Sequence, residues 1–353
     1  MACKYRTRDT PVPNGANETC LRFQSLVRSA TKRASLFLGD AFHVPLLVTD
    51  PTGHTCEEVM KTAKAALSSF LISDLSGQRS FPQLSHSDSL SLSASLNSVP
   101  KSFPQSCPCM GSNLYAEVRE RLSRPPRDLP KGYLRFVRKT VRRLFPRGVH
   151  GLDDLSRSVV PPLKSTTLHK RSEGGSYSFW HSRREEFLEG GDVVVAPEFM
   201  VAADAGKPRP LARNHPTFLL LRPLHEFLYN RLSHTSWLLR GPPSRERLVT
   251  AGFSERGRYF SADFTAATDN LPIEVAETIL SELEELSSDT LFPLFSSAFS
   301  SLRPSLSCGT EVFDVSTGQM MGNLLSFPLL CLQNYIATCW VDRITGERPS
   351  RLI

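Results

Sequence analysis

Apolar residues recur along this chain in two rhythms, a helical spacing in most ordered stretches and a strict alternation in one. Cys56–Leu71 (CEEVMKTAKAALSSFL) spaces its apolar positions for an amphipathic helix, with Glu57 and Glu58 in the first turn where the helix dipole favours acids. Tyr133–Phe145 places Tyr133, Phe136/Val137, Val141 and Leu144 on one stripe and leaves Arg135, Arg138, Arg142 and Arg143 outside it. Tyr259–Phe264 alternates, which predicts a strand with Phe260, Ala262 and Phe264 on its packed face and Tyr259, Ser261 and Asp263 on the other. A helix is expected to open near Pro272, capped by Asn270, with Glu274 and Glu277 early and Ile273, Ala276, Ile279/Leu280 and Leu283 buried. A further helix follows Gly322, with Ser326 as cap, Pro328 in the first turn and a stripe of Leu324, Leu325, Leu329, Leu332 and Ile336.

The pattern lapses between residues 76 and 115. Serines crowd this stretch and prolines stand at 82, 100, 104 and 108, so too little apolar surface is on offer to offset the entropy of ordering, and a linker or mobile loop is expected. Residues 117–147 are the most basic part, with eleven Lys and Arg facing Glu117, Glu120 and Asp128. These shifts divide the chain into residues 1–75 of unknown role, the linker 76–115, a basic region 116–250 and a final part 251–353.

Composition adds constraints. A hydrophobic share of 40% in 353 residues is globular and excludes a wholly disordered chain. The net charge of +7 favours a polyanionic partner such as nucleic acid. Eight cysteines are scattered without a Cys-x-x-Cys pair, and Cys107-Pro-Cys109 has no His/Cys cluster at zinc spacing around it, so reduced thiols are expected. The first residues lead into polar sequence without the apolar core of a signal peptide, and no run reaches the roughly 18 apolar residues of a membrane span.

Three segments carry candidate chemistry. Asp263 at a strand end, with Asp269 on the following turn, suits a hard-cation site that handles phosphates, although alone the pair also reads as a capping aspartate beside an exposed one. The loop Asp314–Asn323 sets Ser316, Thr317, Gln319 and Asn323 beside Gly318 and Gly322, which allow close backbone approach. Upstream, Lys207 and Arg209 stand two apart in a segment stiffened by Pro208 and Pro210, so both project the same way and suit a triphosphate; Arg213 extends the patch.

In this order, a basic strand, a strand-Asp-x5-Asp-helix and a Gly loop entering a helix, the chain resembles motifs F, A and B of viral RNA-dependent RNA polymerases. Ser261-Ala-Asp-Phe-Thr-Ala-Ala-Thr-Asp-Asn-Leu-Pro with Gly318-Gln-Met-Met-Gly-Asn-Leu-Leu-Ser-Phe-Pro-Leu-Leu is similar to the ourmia-like and narnavirus type, and Lys170-Arg-Ser-Glu-Gly-Gly to an element preceding motif F. The resemblance spans about residues 160–342. It implies an α/β (α+β) fold of right-hand fingers and a partial, antiparallel palm sheet without a thumb. Asp263 would then bind catalytic Mg²⁺ (or Mn²⁺), Asp269 would meet the ribose of the incoming nucleoside triphosphate, and Lys207, Arg209 and Arg213 would hold its phosphates. Ser316, Thr317, Gly318, Gln319, Gly322 and Asn323 would contact the RNA template and the nascent pair, with Ser326, or Asn334 two turns on, near the ribose.

Motif C is missing: no Gly-Asp-Asp occurs in the sequence. The expectation is therefore either a truncated sequence or a palm split between two polypeptides, the second bringing motif C and the thumb, and a chain inactive by itself. The expected location is the host cytoplasm. The alternative from another class is a non-catalytic RNA-binding protein with a degenerate polymerase fold, using the basic stretch 117–147 and binding in a strongly salt-dependent way.

Overall fold

The computed structural model describes residues 18–70, 81, 83–104, 107, 109–110, 114–152, 161–188, 193–204, 207–235, 237–238, 240–241, 245–250, 264 and 266–346. Two compact units emerge, one of residues 3–114 with 201–210, the other of residues 115–200 and 211–353.

The first unit is helical. It contains α1 (Glu18–Ala41), α2 (Cys56–Ser68) and α3 (His86–Ser98). The predicted α2 begins where its sequence says it should: Thr55 accepts from the Glu58 N–H while the Glu58 carboxylate takes the Thr55 N–H, a reciprocal cap that satisfies two otherwise orphaned donors. Val27 of α1, with Val59, Met60 and Ala63 of α2, forms a dry seam. The stretch expected to be a linker is different. It carries α3, capped by Ser85 at the Asp88 N–H, and its Leu92, Leu96, Phe103, Cys107 and Met110 are buried in the same core. The serines misled because they occupy the outer faces of a helix whose few leucines, four apart, do the packing. The cysteine reading also changes. The described cysteines are free thiols, but four of them, far apart in sequence, converge in this unit.

The second unit is mixed. Its helices are α4 (Leu114–Leu122), α5 (Tyr133–Leu144), α6 (Ser176–Leu188), α7 (Arg222–Ser233), α8 (Arg245–Thr250), α9 (Ile273–Glu285), α10 (Phe292–Ser300) and α11 (Ser326–Thr345). Strands β1 (Glu198–Asp204), β2 (Lys207–Arg213), β3 (Ser305–Cys308) and β4 (Glu311–Asp314) form one sheet in the order β2-β1-β3-β4, the residues 201–210 of β1 and β2 grouping with the first unit. β1 runs parallel to β3, with Glu198 opposite Ser307, and β3 pairs antiparallel with β4 from Ser305↔Asp314 to Cys308↔Glu311. The described sheet is thus mixed rather than wholly antiparallel. β2 lies at its edge, the position that tolerates Pro208 and Pro210 because a missing N–H breaks no interior ladder.

The expected strand at 259–263 lies outside the described residues. Its last member, Phe264, stands 61% exposed, not packed, and among the described residues no strand pairs with it. The helix after it is as the spacing predicts, with Ile273, Ala276, Ile279, Leu280 and Leu283 all buried. Its N-cap, however, is Pro272; Asn270 belongs to a short 3-10 turn and its side chain donates to the Ala266 carbonyl. α5 packs on α9, and there Arg142 meets the buried Glu282 and, at 3.2 Å, Glu285. α11 reaches α5 through Trp340, whose ring stands against Tyr133 and Phe136. Among the described residues no helix is long and apolar enough to cross a membrane.

The packing of the serine-rich segment has a direct test. Leu96 is 1% exposed, so Leu96→Ala should destabilise the full chain by about 2–5 kcal/mol in urea unfolding, as for other buried leucines. A change under about 0.5 kcal/mol, the range of surface substitutions, would mean that the segment is not part of this core.

Candidate functional site

Four separate segments of the second unit meet around the loop 315–326. The loop enters from β4 and leaves into α11. Its first donors face α4: the N–H groups of Ser316 and Thr317 both reach the Leu122 carbonyl, at 2.8 and 3.0 Å. The next two face the turn before α9, Gly318 N–H to Leu271 O at 2.9 Å and Gln319 N–H to Thr268 O at 2.8 Å. Beyond it the loop lies along the base of β2. Ala212 N–H donates to Met321 O at 2.7 Å and the Asn214 amide to Gly322 O at 2.9 Å. Asn214 in turn accepts, on its backbone carbonyl, the N–H of Thr167, from the stretch leading to the Gly174-Gly175 turn.

The glycines explain why the segments can be this close. Gly318 has φ +75°, and a Cβ on it would fall 2.3 Å from the carbonyl oxygen of Asp269. A Cβ on Gly322 would fall 2.1 Å from the carbonyl oxygen of Ala212. Both neighbours are backbone, so neither can swing aside.

Asp269 is held in this junction with 8% exposure. Its carboxylate pairs with Arg121 of α4 at 3.3 Å and accepts from the Thr268 hydroxyl at 3.3 Å. Burial pushes its carboxyl above the usual aspartate range; the Arg121 charge and the Thr268 hydrogen bond pull the other way and do not fully offset it. On the same turn Ala266 has φ +49°, a left-handed conformation rare for a residue with a Cβ, and its carbonyl takes the Asp269 N–H.

The remaining expected residues divide. Ser316, Thr317, Gly318, Gln319, Gly322 and Asn323 all belong to the junction. Asn323 is structural: its amide donates to the Ser301 carbonyl and its oxygen takes the Leu325 N–H, close to the start of α11. Leu325 is the N-cap of that helix, not Ser326 as expected; Ser326 is buried and its hydroxyl donates to Met320 O, underneath the loop. Asn334 is exposed, so it does not share the buried Ser326 face. Eight residues at 3.6 per turn leave the two about 80° apart around the helix, which puts Asn334 outside the buried part of the face. Gln333, seven after Ser326, is the residue on that face, buried with neither amide atom bonded among the described residues. Arg213 pairs with Glu198 across the base of the β1–β2 hairpin. Lys207 opens β2 and Arg209 is exposed on it. Asp263 lies outside the described residues.

Two partners escaped the sequence reading. Arg121 was one of many arginines in a basic run, and Asn214 one polar residue beside a His-Pro; only the fold distinguishes them. The basic stretch remains mostly exposed, but several of its arginines are paired with carboxylates. Arg119 pairs with Glu311, Arg121 with Asp269, Arg124 with Glu120, and Arg142 with Glu282 and Glu285.

Residues 199–340, about two-fifths of the chain, match the family model described as Mitovirus RNA-dependent RNA polymerase. Over this stretch the chain is similar to viral RNA-dependent RNA polymerases of the mitovirus type. The match runs from β1 to α11 and so contains β2, the Asp269 turn and the 315–326 loop, while Arg121 and Thr167 of the junction precede it. No curated protein matches the chain.

Gly318→Ala should destabilise the protein well beyond the roughly 1–3 kcal/mol of left-handed strain, because the new methyl also meets the Asp269 carbonyl. Gly132 is the control: φ is +83°, but nothing lies within 4 Å of its missing Cβ, so Gly132→Ala reports strain alone. Equal losses for the two variants in urea unfolding would contradict the close approach.

Asp269 also has a pH signature. The folded state holds its proton more tightly than the unfolded chain, so its contribution is greatest below the ordinary value of 3.8 and declines as pH rises through the raised one. The stability of wild type relative to Asp269→Asn should therefore fall from acid towards neutral pH. A rising difference would show that the Arg121 pairing outweighs burial.

Proposed function

We propose that this chain supplies the nucleotide-entry half of an RNA-dependent RNA polymerase active site, joining nucleoside triphosphates to an RNA 3′-hydroxyl on an RNA template. The observation that carries this reading is the hydrogen-bonded junction of the Asp269 turn, the Gly318 loop and the base of β2. Within a polymerase segment these three would act on one incoming nucleotide, the turn meeting its sugar, the loop its base pair with the template and the strand its phosphates.

Asp269 is the ribose-facing group. Its carboxylate, held by Arg121, can accept a hydrogen bond from a 2′-hydroxyl, which a deoxyribose lacks. Fixing it between α4 and α9 keeps that acceptor preorganised. In the loop, Ser316 and Thr317 spend their N–H groups on Leu122, which leaves their hydroxyls as the groups that meet template and nascent pair. Lys207 and Arg209 are the residues assigned to the triphosphate by the resemblance, and Arg213 is tied to Glu198.

The metal is a separate matter. Asp263 is the one carboxylate of this chain assigned to it, Asp269 being committed to Arg121, and a two-ion site needs a further carboxylate of the Gly-Asp-Asp kind that residues 1–353 do not contain. Bound Mg²⁺ or Mn²⁺ would neutralise charge on the transferring phosphoryl group. The residues present are thus half of the donor set, and the other half comes from polypeptide outside them.

The test combines the full chain with a polypeptide bearing Gly-Asp-Asp and a thumb, with RNA template and nucleoside triphosphates. Neither should synthesise RNA alone, and the pair should. Asp263→Ala should reduce synthesis to background, and Asp269→Asn should narrow the preference for ribo- over deoxyribonucleotides by roughly 10–100-fold, the equivalent of one hydrogen bond to a charged group. Synthesis that survives Asp263→Ala would overturn the assignment. Salt-sensitive RNA binding without synthesis beside any partner would favour the non-catalytic reading.

A further inference from the structure

Outside the matched segment, the strongest chemical cluster lies in the helical N-terminal unit. Cys20 stands in the first turn of α1, Cys56 is the first residue of α2, and Cys107 and Cys109 flank one residue of the segment that follows α3. Their four sulfurs all lie within 4.8 Å of one another, and Cys20 Sγ is 3.7 Å from Cys107 Sγ. We propose that these four cysteines form a structural Zn²⁺ site.

Geometry separates this from the other uses of clustered thiols. Sulfurs placed tetrahedrally at about 2.3 Å from zinc are roughly 3.8 Å apart, which matches the 3.7 Å separation of Cys20 and Cys107. A disulfide needs about 2.05 Å. A polynuclear iron–sulfur cluster spreads its cysteines wider than the mutual 4.8 Å limit found here, so a single ion fits and a cluster does not. The donor set is all thiolate, which selects soft or borderline cations over magnesium or calcium. With four protein ligands no coordination position remains open, as in structural rather than catalytic zinc sites.

Groups beside the sulfurs are placed to support a metal-bound thiolate. Cys56 begins a helix, where the backbone dipole stabilises a thiolate. The buried Gln24 amide donates to Cys56 Sγ at 3.9 Å and to the His54 carbonyl at 3.2 Å, a donor that orients a metal-bound sulfur. Without an ion, the Cys56 thiol points its proton at the Cys20 carbonyl, 3.7 Å away. Binding Zn²⁺ displaces the thiol protons to solvent, forms four Zn–S bonds and changes no oxidation state. The ion would staple α1, α2 and the segment after α3, three pieces that also share one apolar core.

The full chain, produced in zinc-containing reducing medium, should carry about one zinc per molecule by elemental analysis. Cobalt substituted for zinc should give the intense visible absorption of tetrahedral tetrathiolate Co²⁺. Cys109→Ser, at the exposed member of the set, should lower zinc content to under about a tenth at a fixed chelator concentration, whereas Cys331→Ser, in the other unit, should not. Cys109→His should retain the metal with a shifted cobalt spectrum. Zinc absent from the wild-type chain under reducing conditions, equal loss in Cys331→Ser, an octahedral cobalt spectrum or a Cys20–Cys107 disulfide in the freshly isolated protein would each overturn the site.

Discussion

The junction depends on one contact, the packing of the Gly318 α-carbon against the backbone of Asp269. With a Cβ position only 2.3 Å from a carbonyl oxygen, the loop and the turn are in contact at a distance available to glycine alone. Everything nearby follows from that closeness. The hydrogen bonds Gly318–Leu271 and Gln319–Thr268 form because the two backbones run side by side, and they fix the start of α9 relative to the approach to α11. Both helices are rigid by burial: α9 hides Ile273, Ala276, Ile279, Leu280 and Leu283, and α11 hides Leu329, Leu332 and Ile336. Two irregular segments are thereby mounted on two well-packed supports, which is the arrangement that positions a reacting group without reorganisation.

Charge plays a different part than the net +7 suggests. Ten of the eleven Lys and Arg of residues 117–147 are exposed, yet Arg119, Arg121, Arg124 and Arg142 are paired with carboxylates of the fold. Arg142 meets a carboxylate, Glu282, that is fully buried, and such a carboxylate depends on its partner because an unpaired buried charge is far more costly than an unpaired exposed one. Arg121 does the same for Asp269. The exposed Arg135, Arg138 and Lys139 of α5 remain on the outer face. The separation between structural and outward-facing arginines is invisible in composition, since each arginine is the same letter and only the acids across the interface differ.

What the sequence made legible was periodic. The α2, α5 and α9 stripes follow from spacing because a helix buries one face and every third or fourth residue reports it. The entry of α11 was legible in kind but not in detail: Leu325 rather than Ser326 caps it, and Asn334 is a quarter-turn from where two turns would put it. The β3–β4 hairpin was missed, four residues to a strand being too short to show alternation. The Ser-rich helix α3 was missed for the opposite reason, composition masking Leu92 and Leu96. The cysteine cluster was missed because Cys20 and Cys56 lie far along the chain from the Cys107/Cys109 pair, so no local spacing rule joins them. Non-local contacts, in each case, decided what local pattern could not.

The loop 315–326 also defines what a ligand can use. Its backbone donors at Ser316, Thr317, Gly318 and Gln319 are occupied by Leu122, Leu271 and Thr268, and its carbonyls at Met320, Met321 and Gly322 by Ser326, Ala212 and Asn214. A ligand could pair with these particular groups only by breaking contacts that hold the loop. Recognition falls to side chains at its rim, the hydroxyls of Ser316 and Thr317 and the exposed Met321. Hydroxyls donate and accept with equal ease, and a thioether packs against any base, so this rim suits a site that must accept every base pair in turn. Under the proposed function, discrimination would be left to Asp269 as ribose acceptor, held by the same contacts that engage the loop backbone. Tolerance of base and selectivity for sugar would then be two consequences of one close packing.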